Sequence, residues 1–331
     1  MERHLLQVEE VSALIRGGQG LLLAGEESLL RRLPRGSWIG GTIPYFMADA
    51  GGCVDRERVF VSALPAGLTC RAIRRYGARE IHDVYTDLPQ DGFGVIIAPA
   101  QSQVHLSFAL DAPGYEKFAT RPLVGWISGV HLSEIGKTSP KVIDGKTGEA
   151  LDQEAVVMHV GLPRGKVAEL NILNIFGQGD GPAISFPETG FSATTVEIDG
   201  RSCNLAQHVR EAGLDMRLPL VADYCGTSIN VSFQKVDEAK GEVHFYAPVF
   251  AGIRYRQARP VGDYVTEFTS GLPKGIDGRV AFSCNCILNY LHSGLEGRST
   301  AGIYGPITFG EVAYQLLNQT MVYVTIDDVA R

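Results

Sequence analysis

A strand–helix–strand pattern that the chain writes three times restricts its fold more than any other feature. The copies occupy residues 20–46, residues 92–130 and the stretch from Gly278 to Ile326. Each opens with an apolar, glycine-led run, continues into a polar-to-amphipathic helix, and returns as a second run that meets glycine. Those second runs read Trp38-Ile39-Gly40-Gly41, Gly125-Trp126-Ile127-Ser128-Gly129 and, from Ala301 to Tyr304, a run completed by Gly305. In the third copy residues 280–284 are a short buried strand entered from Asp277-Gly278, and Ile287, Leu288 and Leu291 recur at helical spacing before Gly294. Parallel strands need a crossover, and short helices supply it, so repeated units of this kind imply an α/β layer architecture.

Further elements follow from periodicity. Residues 7–17 carry Val8, Val11, Leu14 and Ile15 on one helical stripe, and Tyr264, Phe268 and Leu272 do the same later. Residues 58–64 and 155–162 read as strands, 140–151 as a segment with two hairpin-like turns, at Asp144-Gly145 and Thr147-Gly148, and 49–52 as a loop. The three-residue spacing of Cys70, Ile73 and Tyr76 predicts a short helix over 69–79. Residues 311–317 are expected to be a helix, with Glu311 in its first turn interacting favourably with the helix dipole. Residues 176–193 are rich in Gly and Pro without periodicity, so they are the expected linker. The fold expected is therefore α/β, in two packed halves, 1–190 and 191–331, of mixed sheets built from β-α-β units with antiparallel hairpins.

Charge and composition narrow the function. At 331 residues with net charge -7, the chain has no electrostatic footprint for nucleic acid and no attraction to an anionic membrane. Its longest apolar runs fall far short of the ~20 residues of a membrane helix. The charged amphipathic start lacks a signal-peptide core, so a cytoplasmic protein is expected. Glycine is abundant, at 39 residues, which predicts close backbone approaches. Of the six cysteines only Cys284 and Cys286 are close together, and one C-x-C without a second pair does not make a zinc site. Reduced, buried thiols are expected, with neither metal nor cofactor. His131 and Glu134, three apart, read as a solvated turn.

The order of these pieces resembles the FIST family, whose tandem halves are regarded as sensory modules in signal transduction. The likeness rests on PLVGWISG at 122–129, the hairpin VIDGKTGEA and the strand EAVVMHVGLP in the first half. In the second it rests on VEIDGRSCNLAQHV, GEVHFYAPVFAGIRYRQA and GIYGPITFGEVAYQLLNQTMVYV, with Phe309-Gly310-Glu311 and Asn318-Gln319-Thr320 the most specific pieces. Asn285 and Cys286 stand where the family pattern has an arginine after the cysteine. The resemblance implies a cytosolic sensor of an amino acid or other small polar metabolite, signalling through a separate protein.

A ligand site is expected where the glycine-rich strand ends converge, around Gly41, Thr42, Trp126, Cys284, Asn285, Tyr304 and Glu311. Glycine admits close backbone approach, aromatics supply apolar area, and one carboxylate sets orientation. The N–H groups of Gly40-Gly41-Thr42 could receive an anion. The alternative is a thiol-dependent hydrolase or transferase using Cys284. No G-x-S-x-G elbow is present, since Thr194, Asn204 and Asn230 replace its second glycine. A histidine beside Cys284 would favour catalysis.

Overall fold

The structure is a computed structural model that describes residues 4–224, 227–271, 279–300 and 302–329. Leu272, Asp277, Gly278 and Ala301, used in the readings above, lie outside the described residues, as does Cys225, one of the six cysteines. All three repeats are β-α-β units with parallel strands. In the first, Leu21–Gly25 pairs with Trp38–Thr42 across the Glu27–Leu30 helix. The second sets Gly92–Pro99 beside Leu123–Ser128, joined by the Gln103–Asp111 helix. The third pairs Val280–Cys286 with Gly305–Thr308 through the Ile287–His292 helix. Its second strand begins later than expected, because Ile303 N–H bonds to Thr300 O at 3.2 Å and Gly302 takes a φ of 78°, making a turn.

The fold is α/β, with mixed sheets that combine these units with antiparallel hairpins. Around the second unit the strand order is Gln315–Leu317, Glu311–Ala313, Leu123–Ser128, Gly92–Pro99, Ala155–Gly161, Thr69–Tyr76. Around the third it is Lys166–Leu173, Met321–Asp328, Val280–Cys286, Gly305–Thr308, Tyr45–Ala48, Gly51–Val54. These two sheets and the sheet of the first unit enclose one apolar core, in which Trp126 stacks on Phe282 with ring centroids 5.4 Å apart. Helices Val8–Arg16 and Gln103–Asp111 cover outward faces. Two further sheets, one of six strands and one of three, lie in residues 184–257 and share a core around Phe186, Phe245 and Tyr255.

Four expectations are corrected. Thr69–Tyr76 is a strand, not a helix: the register against Ala155–Gly161 skips Arg71, and this bulge breaks the two-residue alternation. Residues 311–317 form a hairpin, Glu311–Ala313 against Gln315–Leu317, turning on Tyr314 alone at a φ of 61°. Val312, Leu316 and Leu317 imitate a helical stripe, yet they are buried on a sheet edge. Of the expected loop 49–52, Asp49 and Ala50 turn, but Gly51 and Gly52 begin the strand Gly51–Val54 that pairs with Tyr45–Ala48. The expected linker contains the short strands Ile184–Ser185 and Gly190–Ala193.

Candidate functional site

Except for Tyr304, the expected site residues are buried. A Cβ on Gly41 would stand 2.9 Å from Trp126 Nε1 and 2.7 Å from Ile97 Cγ2, so the indole lies directly over the glycine. Cys284 Sγ donates to Gly125 O at 3.3 Å, and Glu311 pairs in register with Trp126. The sheet consumes the N–H groups proposed for an anion: Thr42 N–H bonds to Lys141 O at 2.9 Å, and Thr42 Oγ1 bonds to Gly129 O at 2.8 Å. Tyr304 stands apart, against the His4 ring at 4.6 Å, in a groove shared with Phe282 and Ser283. His131 Nδ1 faces Ser133 Oγ at 2.8 Å, and Glu134 pairs with Arg56 at 2.7 Å.

Glu311 is fully buried. Its Oε2 accepts from Thr320 Oγ1 at 2.9 Å and Thr320 N–H at 3.3 Å, and Oε1 lies 3.5 Å from Thr308 Oγ1. The Cys286 thiol is a further partner. Desolvation outweighs these bonds and raises the carboxyl to about 8. Burial, aided by the Glu311 charge, also holds the Cys284 and Cys286 thiols well above the ordinary range.

Around this acid lies a buried polar network. Asn285 Oδ1 accepts from Cys286 N–H at 2.8 Å and from Asn289 Nδ2 at 2.9 Å. Its Nδ2 reaches Tyr264 OH at 3.4 Å. Asn230 Nδ2 donates to the carbonyls of Asn318 and Gln319, and Ser232 Oγ donates to Asn318 Oδ1 at 2.7 Å. The network thus pins the segment 318–320 against Glu311. Buried polar groups must be paired, and this segment is where the pairing concentrates.

A cavity of about 300 Å³ opens beside the network, between the Gln103–Asp111 helix, the Glu242–Val249 strand and the Ile287–His292 helix. Leu106, Leu132, Phe191, Ile287, Leu288 and Phe309 give it apolar walls, while His105, His244, Cys286 and Asn318 add polar groups. Neither His105 Nε2 nor Asn318 Nδ2 has a hydrogen-bond partner, although both side chains are buried. His105 Nδ1 accepts Gln101 N–H at 3.1 Å, so Nε2 carries the ring proton and is a free donor. Burial depresses His105 to about 4, keeping it neutral. His244 Nε2 lies 3.4 Å from Glu242 Oε2 but makes no hydrogen bond among the described residues.

None of the seven expected residues lines this cavity: Gly41, Thr42, Trp126, Cys284, Asn285 and Glu311 are buried in the sheets, and Tyr304 faces a separate groove. The wall itself uses Cys286, one position outside the set, and Asn318, from a motif quoted only for family likeness. His105 and Phe191 had no local signal. Among the described residues, no group of three or more His, Cys, Asp or Glu could hold a metal ion, and no helix is long and apolar enough to cross a membrane.

The mixed sheets and their crossover helices make this an α/β protein, with a cavity close to a buried acid network. Residues 6–327 match a family of unknown function, DUF6976, and the chain belongs to it. No curated protein and no solved structure matches the chain.

Proposed function

We propose that this protein is a small-molecule-binding module of the sensory class, acting in the cytoplasm and passing its state to a separate signalling protein. The observation that carries this reading is the cavity, whose apolar walls hold two buried N–H donors without partners. Pockets of about this size, mostly apolar with a few fixed polar groups, are the usual form of a small-ligand site. Binding a hydrogen-bond acceptor would satisfy both donors, which otherwise carry a desolvation cost. The lining contains no Asp, Glu, Lys or Arg. Among small polar metabolites, that favours a neutral compound with an apolar body and a carbonyl-type head. The ammonium and carboxylate of a free amino acid would both lack a counter-charge there.

A thermal-shift screen of amino acids and neutral carbonyl metabolites tests this. At a free concentration of ~100 Kd, one site adds roughly 2.7 kcal/mol to the native state. His105→Phe keeps the ring and deletes the donor, and we expect it to weaken a hit about tenfold, roughly 1.4 kcal/mol. A screen in which no compound raises the melting temperature sinks the proposal. So does a hit whose affinity His105→Phe leaves unchanged.

A further inference from the structure

The cavity wall also holds a thiol that reversible binding does not use. The Val280–Cys286 strand turns directly into the Ile287–His292 helix, and Cys286 is the junction, in extended conformation with φ -72° and ψ 138°. Its thiol is buried, lines the cavity and has the Glu311 carboxyl as a partner. Backbone N–H groups of Gln319 and Leu288 approach the sulfur. Asn318 Nδ2, unpartnered and on a side chain only 2% exposed, belongs to the same wall. A nucleophile and a free donor therefore line one cavity, and a buried proton acceptor contacts the nucleophile from within the core, which is the constellation acyl transfer requires. Cys284 lacks this combination, since its thiol is spent on the Gly125 carbonyl.

We infer that Cys286 is an acyl-accepting nucleophile, and that its substrate is a neutral ester or thioester with a short apolar acyl chain. This rests on the cavity being the ligand site. The sulfur forms a bond to the acyl carbon while the thiol proton passes to the Glu311 carboxylate. The former carbonyl oxygen takes the negative charge and receives the Asn318 Nδ2–H. When the intermediate collapses, the bond to the leaving oxygen or sulfur breaks, and the proton moves from Glu311 to the leaving group. The product is a Cys286 thioester. At ~30 Å³ per water-sized unit, about 300 Å³ accommodates about ten non-hydrogen atoms, the scale of a short acyl group and its head.

The groups facing Glu311 are Cys284, Cys286, Tyr264, Thr308 and Thr320. Because the carboxyl ionises only near pH 8, acylation should accelerate as pH rises from 7 to 9.

The test uses the full chain with Cys53, Cys70, Cys203 and Cys225 replaced by serine, mixed with 4-nitrophenyl acetate and butyrate. We expect a nitrophenolate burst of one equivalent and a hydroxylamine-sensitive acyl mass on Cys286. Cys286→Ser should lower the burst rate at least 100-fold. Glu311→Gln, checked for native circular dichroism, should slow the burst and flatten its rise with pH. Absence of an acyl group on Cys286 in the protein retaining both cysteines, up to pH 9, overturns the inference without recourse to any variant. A burst unchanged in Cys286→Ser does the same. If no adduct forms but screened ligands still raise the melting temperature, the acyl inference fails and the binding reading stands; if neither is seen, both fail.

Discussion

Glu311 carries a cost that is visible as a pH dependence. Its carboxyl has an ordinary value of 4.5 and is raised to about 8 in the fold, because burial disfavours the charged form more than the Thr320 bonds favour it. Between those values the native state holds a proton that the unfolded chain has released. Stability from this group is therefore full below 4.5, falls as pH rises, and is lost once pH passes about 8. His105, depressed from 6.5 to about 4, acts in the opposite sense below 6.5, where the unfolded chain takes up the proton first, and His159, His208 and His292, also lowered by burial, act with it. The clean window for Glu311 is thus from about 6.5 to 8. There we expect urea unfolding to show stability falling by on the order of 1 kcal/mol per pH unit, and Glu311→Gln to be nearly flat. A wild-type profile without slope in that window would contradict the buried, protonated acid. The sequence pointed to Glu311 as a residue of interest because it follows Gly310 in a specific motif. It could not identify the partners, since Thr308 and Thr320 reach the carboxyl only through the pairing of strands and the pinning of 318–320 by Asn230 and Ser232.

At the scale of elements, the three β-α-β units were legible because each is written locally: a glycine-led apolar run, a helix of matching spacing, and a return into glycine. The 311–317 hairpin was not, because a turn centred on Tyr314 lacks the Gly, Asn or Pro that marks most tight turns. Its place is fixed instead by distant contacts, among them the Tyr85 hydroxyl donating to Tyr314 O. The Gln103–Asp111 helix connects local signals to the cavity. Ser102 caps it, accepting His105 N–H at 3.2 Å and donating to Pro99 O at 2.7 Å. We expect Ser102→Ala to cost about 1 kcal/mol in chemical denaturation, and to weaken cavity ligands because it releases the first turn that holds His105. Strand packing sets a second test. A Cβ on Gly125 would lie 1.8 Å from Ile96 O on the paired strand, a backbone atom that cannot yield without breaking the sheet. Gly125→Ala should therefore lose more than about 3 kcal/mol, beyond the usual cost of overpacking a side chain. A variant that melts within a few degrees of the wild type would show that the sheet can shift there.

The whole molecule is closed by strands from opposite ends of the chain. Glu311–Ala313 pairs with Leu123–Ser128, Gly305–Thr308 with Tyr45–Ala48, and Lys166–Leu173 lies along Met321–Asp328 over eight residues. The largest core contains residues from Leu5 to Val324. Each of these pairings crosses residue 190, where composition alone places the division between halves. A fragment 1–190 would leave the backbone groups of Leu123–Ser128, Tyr45–Ala48 and Lys166–Leu173 without these partners, and unpaired strand edges associate with other chains. A fragment 191–331 would lack the faces that bury Val280–Cys286 and Met321–Asp328, although the apolar cluster around Phe186 and Phe245 lies mostly within it. We therefore expect the intact chain to unfold in one transition, coincident by near-UV and far-UV circular dichroism. Fragments 1–190 and 191–331 should each lack a cooperative melt when expressed alone, and co-expression should restore both the melt and the cavity's ligand response. A cooperative melt from 191–331 by itself would show that the second half completes its core without the shared sheets. It would also place the cavity, whose wall takes His105 and Leu106 from the first half and Cys286 and Leu288 from the second, at a boundary between independent units.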